Sequence, residues 1–202
     1  MLDAADRERI AAAIREAEAR TAGEIVVVVA RQAGSYRSVP LLYALVGALA
    51  APWPLIRLTD LSAAGIFIVQ LAVALAVAAA FSWPGRRPAL VPRSIRRARA
   101  HEAAAREFLA RGLTRTRERT GVLIFVALAE RYAEVIADAG IAGRVDPAVW
   151  RDTVAELIEA LRAGRAGDGL MSAVRRVGAI LAEHAPPPAD DADELPNKVI
   201  VI

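Results

Sequence analysis

Hydrophobic positions along this chain fall into three kinds of pattern. Helical stripes come first: Ile10, Ile14 and Ala17 share one face of a helix that Asp3 can cap, with Gly23 placed to close it in the left-handed conformation. Continuous β-branched runs come second. Glu24–Ala30 reads Glu-Ile-Val-Val-Val-Val-Ala, the pattern of a strand covered on both faces. The third kind is two long uncharged runs, 39–56 and 61–83, separated only by Arg57, Leu58, Thr59 and Asp60.

Beyond those runs the stripes and strands resume. Ser94 is placed to cap a helix through Arg111, with Ile95, Ala98, Ala105, Phe108 and Leu109 inward and Gly112 as its stop. Gly121–Ala129 is a second apolar strand, and Ala133–Asp138 alternates as its hairpin partner across Glu130, Arg131 and Tyr132. Asp146-Pro147 starts a helix with an N-cap carboxylate followed by proline; Trp150, Val154, Leu157, Ile158 and Leu161 form its stripe, and Gly164 ends it. A last helix, from about Asp168 to His184, turns Leu170, Val174, Val177 and Leu181 inward before Pro186-Pro187-Pro188 stops it. The acidic, proline-rich stretch 185–196 reads as flexible, and Val199-Ile200-Val201-Ile202 as an added edge strand or a membrane contact.

Strands alternating with helices predict an α/β fold, and the hairpin makes its sheet mixed. The two uncharged runs sit inside the first crossover. At about 1.5 Å per helical residue they reach roughly 27 and 34 Å, against a hydrocarbon core of roughly 30 Å. Two membrane-spanning helices are expected, because lipid-facing backbone must pair internally. The alternatives are buried core helices, or a re-entrant hairpin for the shorter run. Pro40 falls where a first-turn proline is tolerated, whereas Pro52 and Pro54 should kink or fray the end of the first span. If the first strand is to pair with the later ones, the insert must leave and return on one side, which independently demands an even number of crossings. The expected organisation is 1–31 and 94–184 as one domain, 39–83 as a transmembrane hairpin and 185–202 as a tail.

Charge refines the topology. Arg86, Arg87, Arg93, Arg96, Arg97 and Arg99 follow the second run and Arg31 and Arg37 precede the first, while the connection carries Arg57 beside Asp60. The positive-inside rule then places both flanks, and so both termini, in the cytosol, with the membrane an inner cell membrane. The residues Met1–Arg9 have no apolar core of the secretory kind. The excess of 26 Lys and Arg over 23 Asp and Glu is largely this cluster, and no aromatic-rich basic strand accompanies it, so lipid headgroups rather than nucleic acid are the expected partner. The absence of cysteine excludes disulfides and thiolate metal sites.

Thr120-Gly121-Val122-Leu123-Ile124-Phe125-Val126-Ala127-Leu128-Ala129-Glu130-Arg131-Tyr132, followed by Glu134-Val135-Ile136-Ala137-Asp138, resembles the central hairpin of the TPM domain. That family is named for thylakoid lumen phosphatase, photosystem repair and MOLO groups. The Glu24–Val28 strand, the Trp150 helix, the Gly167-Asp168-Gly169 turn and the last helix fall in the family's order, so the resemblance covers roughly 1–31 and 94–184. It implies an α/β/α sandwich, and for some members weak acid phosphatase activity or divalent-metal binding near strand ends; others assist membrane-protein assembly or receptor function. Many members carry a signal sequence. This chain shows none at its start and carries two spans in the first crossover instead.

Ligands of open α/β sheets sit beyond strand ends, which makes Glu130, Asp138 and Asp168 the candidate metal ligands; three hard oxygen donors would suit Ca²⁺ or Mg²⁺ and could polarise a phosphate. Each has a plainer role available, as a hairpin tip, a turn and a helix cap. Glu24 is a further carboxylate at a strand start. His101 and His184 read as polar-face and helix-end histidines. No nucleophile elbow, phosphate-cradling loop or histidine-rich zinc motif is present, and the Gly164, Gly167, Gly169 loop lacks the lysine a phosphate loop needs. The favoured reading is a two-span membrane protein whose cytosolic TPM-like domain is a binding or accessory module for other membrane proteins. A divalent-metal-dependent phosphatase is the alternative, and a structural spacer held on anionic lipid by its arginines is a third.

Overall fold

The computed structural model describes residues 2–36, 38–81, 91–187, 195–196 and 198–202. Arg37, Arg86 and Arg87, the end of the second apolar run at Ser82 and Trp83, and most of the acidic stretch lie outside the described residues. The elements are α1 (Ala4–Glu18), β1 (Ile25–Ala30), α2 (Ser38–Ala50), α3 (Pro52–Leu58), α4 (Ala63–Phe81), α5 (Arg93–Ala110), a 3₁₀ turn (Leu113–Arg115), β2 (Val122–Ala127), β3 (Tyr132–Ala137), α6 (Ala139–Ala142), α7 (Pro147–Arg162), α8 (Ala166–His184) and β4 (Val199–Val201). They divide into two units, Met1–Ala33 with Arg97–Ile202, and Gly34–Arg96.

The first unit is built on a mixed sheet of order β3-β2-β1-β4. β1 and β2 run parallel from Ile25↔Val122 to Ala30↔Ala127, and β3 returns antiparallel to β2 from Ala127↔Tyr132 to Val122↔Ala137. The apolar terminus supplies β4, parallel to β1 at Val27↔Val199. Every residue of β1 and β2 is buried, as their unbroken apolar sequence requires. On one face Ile25, Val27, Val29, Val122, Ile124 and Val126 meet Ile10, Ile14 and Ala17 of α1, Leu157 of α7, and Leu170, Val174, Val177 and Leu181 of α8. On the other, Val26, Val28, Leu123 and Phe125 meet Ala100, Ala103, Ala104 and Phe108 of α5 and Leu113 of the 3₁₀ turn. The fold is an α/β/α sandwich.

Caps follow local chemistry. Asp3 accepts the Asp6 N–H at 2.6 Å while Asp6 reaches back to the Asp3 N–H, a reciprocal capping box. Asp146 accepts the Ala148 N–H at 2.8 Å ahead of a helix whose first residue is Pro147. Gly112 and Gly164 take left-handed φ values of 76° and 74° at the stops expected of them. Gly23 does not. Its role is close approach: a Cβ there would lie 2.8 Å from the Leu181 side chain, while α1 ends earlier, with Ala19 right-handed.

Helix α5 also departs from expectation. It starts at Arg93, so Ser94 lies inside it rather than capping it, and its buried face is Ala100, Ala103, Ala104 and Phe108. Ile95 and Leu109, expected inward, are 45% and 64% exposed. The face is alanine-rich because a small-residue surface lets the helix lie close to the strand side chains beneath it.

In the second unit, α2 and α4 pack antiparallel, with Tyr43 near the start of one and Phe81 at the end of the other at a ring separation of 5.6 Å. Pro52 and Pro54 break the first run as their missing donors predict, and the helix restarts at Pro52. Taken through that break, Ser38–Leu58 and Ala63–Phe81 are two helices of 21 and 19 residues, long and apolar enough to cross a membrane. Only 17% of the most apolar window of the first is buried, and none of the second.

Candidate functional site

The sheet separates the predicted metal ligands. Glu130 stands in the hairpin turn beyond the carboxyl ends of the parallel strands β1 and β2, whereas Asp138 follows β3 at the opposite end. Six strand residues at about 3.3 Å each put roughly 20 Å between those ends. Asp168 lies on the first turn of α8, its side chain 56% exposed and 3.8 Å from Arg9. Among the described residues no three His, Cys, Asp or Glu side chains are grouped to hold one metal ion. Glu130, Asp138 and Asp168 therefore do not fit a single divalent-cation centre, and no chemistry is routed through one.

Glu130 and Asp138, the two buried carboxylates of the three, each have partners that explain their burial. Both oxygens of Glu130, a residue 7% exposed, accept the Ala33 N–H at 3.1 Å, tying the segment after β1 to the hairpin turn. Asp138, 5% exposed, accepts Nε and Nη2 of Arg119 at 2.9 and 2.8 Å and the Ala139 N–H at 2.7 Å. The Arg119 guanidinium holds its carboxyl below the usual carboxylate range; burial acts the other way and the Ala139 amide adds to the lowering. Glu24, a strand-start acid, is buried at 6% exposure. His184 is the last residue of α8, as expected of a helix-end histidine.

What the fold does bring together lies at the carboxyl ends of the parallel strands, the customary ligand position of such sheets. A cleft of about 500 Å³ opens there beside the edge strand β3, lined by Arg97, Ala98 and His101 of α5, Arg131 of the turn, Tyr132 and Ala133 of β3, and Ile158 of α7. His101 Nδ1 donates to the Glu134 carboxylate at 2.9 and 3.1 Å, and the Tyr132 hydroxyl donates to the same carboxylate at 2.9 Å. Burial, then the bond to Glu134, pushes the Tyr132 phenol far above its ordinary value, so it stays a neutral donor. Arg131 sits at φ 52°, a left-handed conformation unusual for a residue with a side chain.

Tyr132, expected in the hairpin turn, is the first residue of β3, and with that correction half of this constellation is visible in the sequence. Tyr132 and Glu134 are two apart on a strand and so share a face. The contribution of His101 was not, since 33 residues separate it from Glu134 and only the packing of α5 on the sheet joins them. Of the arginines expected to flank the membrane, Arg97 lines this cleft, Arg93 begins α5 and Arg96 follows one turn later. A second cleft, of about 340 Å³ between α7 and α8, includes Asp168, Glu156 and Arg165.

Comparison with known proteins agrees with this architecture. Residues 89–180 match the family model described as the TPM domain. Among solved structures the chain is similar to the NMR structure of BA42 protein from the psychrophilic bacterium Bizionia argentinensis, at 21% identity and a TM-score of 0.62, with 100% of this chain and 96% of that one covered. At that identity the likeness speaks to the fold alone. No curated protein matches the chain. The matched segment carries the hairpin, the cleft and α7, and over that segment the chain is similar to the TPM domain.

Proposed function

We propose that the protein is a two-span membrane protein whose TPM domain serves as a binding or accessory module for other membrane proteins on the cytosolic side. The observation that carries this reading is the apolar surface of the second unit: Trp53, Phe67, Ile68 and Leu75 are 72%, 64%, 66% and 63% exposed on helices that bury almost none of their length. A surface of that kind needs a cover, and hydrocarbon is the cover that matches uncharged helices of roughly 30 Å. The arginines on the flanks support the cytosolic orientation, and Arg93, Arg96 and Arg97 supply charge for anionic headgroups.

A binding role is favoured over metal-dependent hydrolysis because Glu130 and Asp138 are each engaged in ties that hold the fold, at opposite ends of the sheet. The chain contains no cysteine, which makes topology directly measurable. Single cysteines at Thr59 and at Ser172, tested in intact cells with a membrane-impermeant maleimide, should label at Thr59 and stay protected at Ser172. Labelling at both would end the two-span reading. Crosslinking in intact cells should then capture a membrane-protein partner, and recovery of none under conditions that capture known complexes would refute the accessory role. A rise in melting temperature with Ca²⁺ or Mg²⁺, together with turnover of a phosphate ester, would favour the phosphatase instead.

A further inference from the structure

Hydrogen-bond parity fixes what β3 offers on its outer side. The Asp138 N–H donates to the carbonyl of Gly121, directly opposite it, at 2.9 Å, so Asp138, Ile136, Glu134 and Tyr132 direct their main-chain groups at β2. The other side of β2 agrees: Val122 and Leu128 donate to Glu24 and Ala30, which leaves the odd-numbered residues of β2 for β3. Ala133, Val135 and Ala137 therefore turn their N–H and C=O groups away from the sheet. Among the described residues nothing pairs with them. An open edge of this kind accepts an extended chain unless proline, lysine or an outward charge blocks it. β3 has no proline or lysine, and its one charged residue, Glu134, is held on the α5 side by His101 and the Tyr132 hydroxyl.

The cleft beside this edge has two unlike walls. Arg97, Ala98 and His101 come from α5, on the face where Tyr132 and Ile136 pack, whereas Ile158 comes from α7, on the face of Ala133 and Val135. A cleft lined from both helical layers straddles the strand edge. Neither Arg97 nor Arg131 has a carboxylate within ion-pair distance among the described residues, so the α5 wall is cationic while the α7 wall is apolar. Alternate side chains of an added strand point to opposite faces, so the chain that fits is acidic at every second position and apolar between. A second copy of β3 does not fit: its one carboxylate, Glu134, is already bonded to its own His101 and Tyr132.

We propose that an extended segment of a partner protein, acidic and apolar at alternate positions, adds to β3 as an outer strand, with its main chain on Ala133, Val135 and Ala137, its carboxylates toward Arg97 and Arg131, and its apolar side chains against Ile158. This names the partner chemistry of the binding-module reading and rests on it. Main-chain pairing supplies affinity, and the two walls select the sequence.

The test uses the full chain in nanodiscs of neutral lipid and a blocked, fluorescent octapeptide, Glu-Val-Glu-Thr-Glu-Val-Glu-Thr, read by anisotropy. Saturable binding is expected, weakened at least tenfold in the R97A/R131G double variant, where glycine keeps the left-handed turn, and absent when every Glu of the peptide is Lys. Hydrogen exchange at the Ala133, Val135 and Ala137 amides should slow at least tenfold on saturation while β1 amides stay unchanged. Two N-methylated peptides, one modified at every Glu and one at every residue between, separate strand pairing from charge attraction: the set whose N–H groups face β3 should lose binding and the other keep it. No saturable binding by the wild-type chain, equal binding by the folded double variant, or equal binding by the two N-methylated peptides overturns the proposal. So does slowed exchange at the three amides that grows with protein concentration in the absence of peptide, which assigns the edge to a second copy. Peptide binding with no partner crosslinked in cells supports the site and refutes the accessory role, and a crosslinked membrane partner without peptide binding does the reverse.

Discussion

Replacing Gly178 by alanine tests how closely α1 and α8 approach. A Cβ at 178 would stand 2.5 Å from the Ala17 Cβ and 3.3 Å from its Cα. Carbon contacts prefer about 3.5–4.0 Å, so the methyl is about 1 Å too near an atom that no rotamer change can move. The helices must separate or tilt, at an overpacking cost of about 2–3 kcal/mol, partly offset by about 1 kcal/mol of improved helix propensity. G178A should therefore lose about 1–2 kcal/mol. A17G alone should lose about 2 kcal/mol, about half from propensity and half from removing a buried methyl. In the double variant the methyl has simply moved from α1 to α8, volume is conserved, and the propensity terms cancel. Its loss should be under about 1 kcal/mol, a favourable coupling of about 2–3 kcal/mol. Urea unfolding of the full chain in micelles, in a W53F/W83F background that leaves Trp150 as the fluorescent reporter of the first unit, should show the double variant with a higher midpoint than either single variant. Additive losses in the double variant would show that the two helices do not meet as the structure has them.

Further expectations concern the two ends of the sheet. Because Arg119 lowers the Asp138 carboxyl below its unfolded value, that tie stabilises fully above about pH 4 and is lost as pH falls through the lower folded value; Asp138→Asn should flatten the acid limb of the stability curve, read from melting temperature against pH. Gly140→Ala would place a Cβ 2.2 Å from the Glu118 carbonyl oxygen, which is backbone, so a loss of about 1–3 kcal/mol in urea unfolding is expected. Glu130→Ala should remove a charge-assisted bond worth about 1.5–3 kcal/mol and speed hydrogen exchange at the Ala33 amide more than at β1 amides. Truncation after Lys198 removes β4 and bares the outer edge of β1, and faster aggregation by light scattering is the expected result.

The sequence by itself determined the parts whose cause is local. β-branched runs became the two central strands, stripes at Ile10–Ile14 and Leu170–Leu181 became helix faces, Asp3 and Asp146 became caps, and prolines broke the first apolar run where their missing donors required. Burial imposes a period on a single segment, and that period can be read without knowing what covers it. The buried face of α5 was legible only at Phe108, since alanines recur all round that helix and Ile95 and Leu109 point outward. The metal ligands failed for a related reason: three acidic residues close in sequence order of elements are not close in space when an antiparallel strand carries one of them to the far end of the sheet. Register and helix placement alone decided that Glu134 would meet His101, and that Arg97 and Arg131 would face one cleft. Contacts between polar groups far apart in sequence leave no periodic trace, because neither partner's neighbours encode the other's position; only the packed sheet and helices bring them within bonding distance.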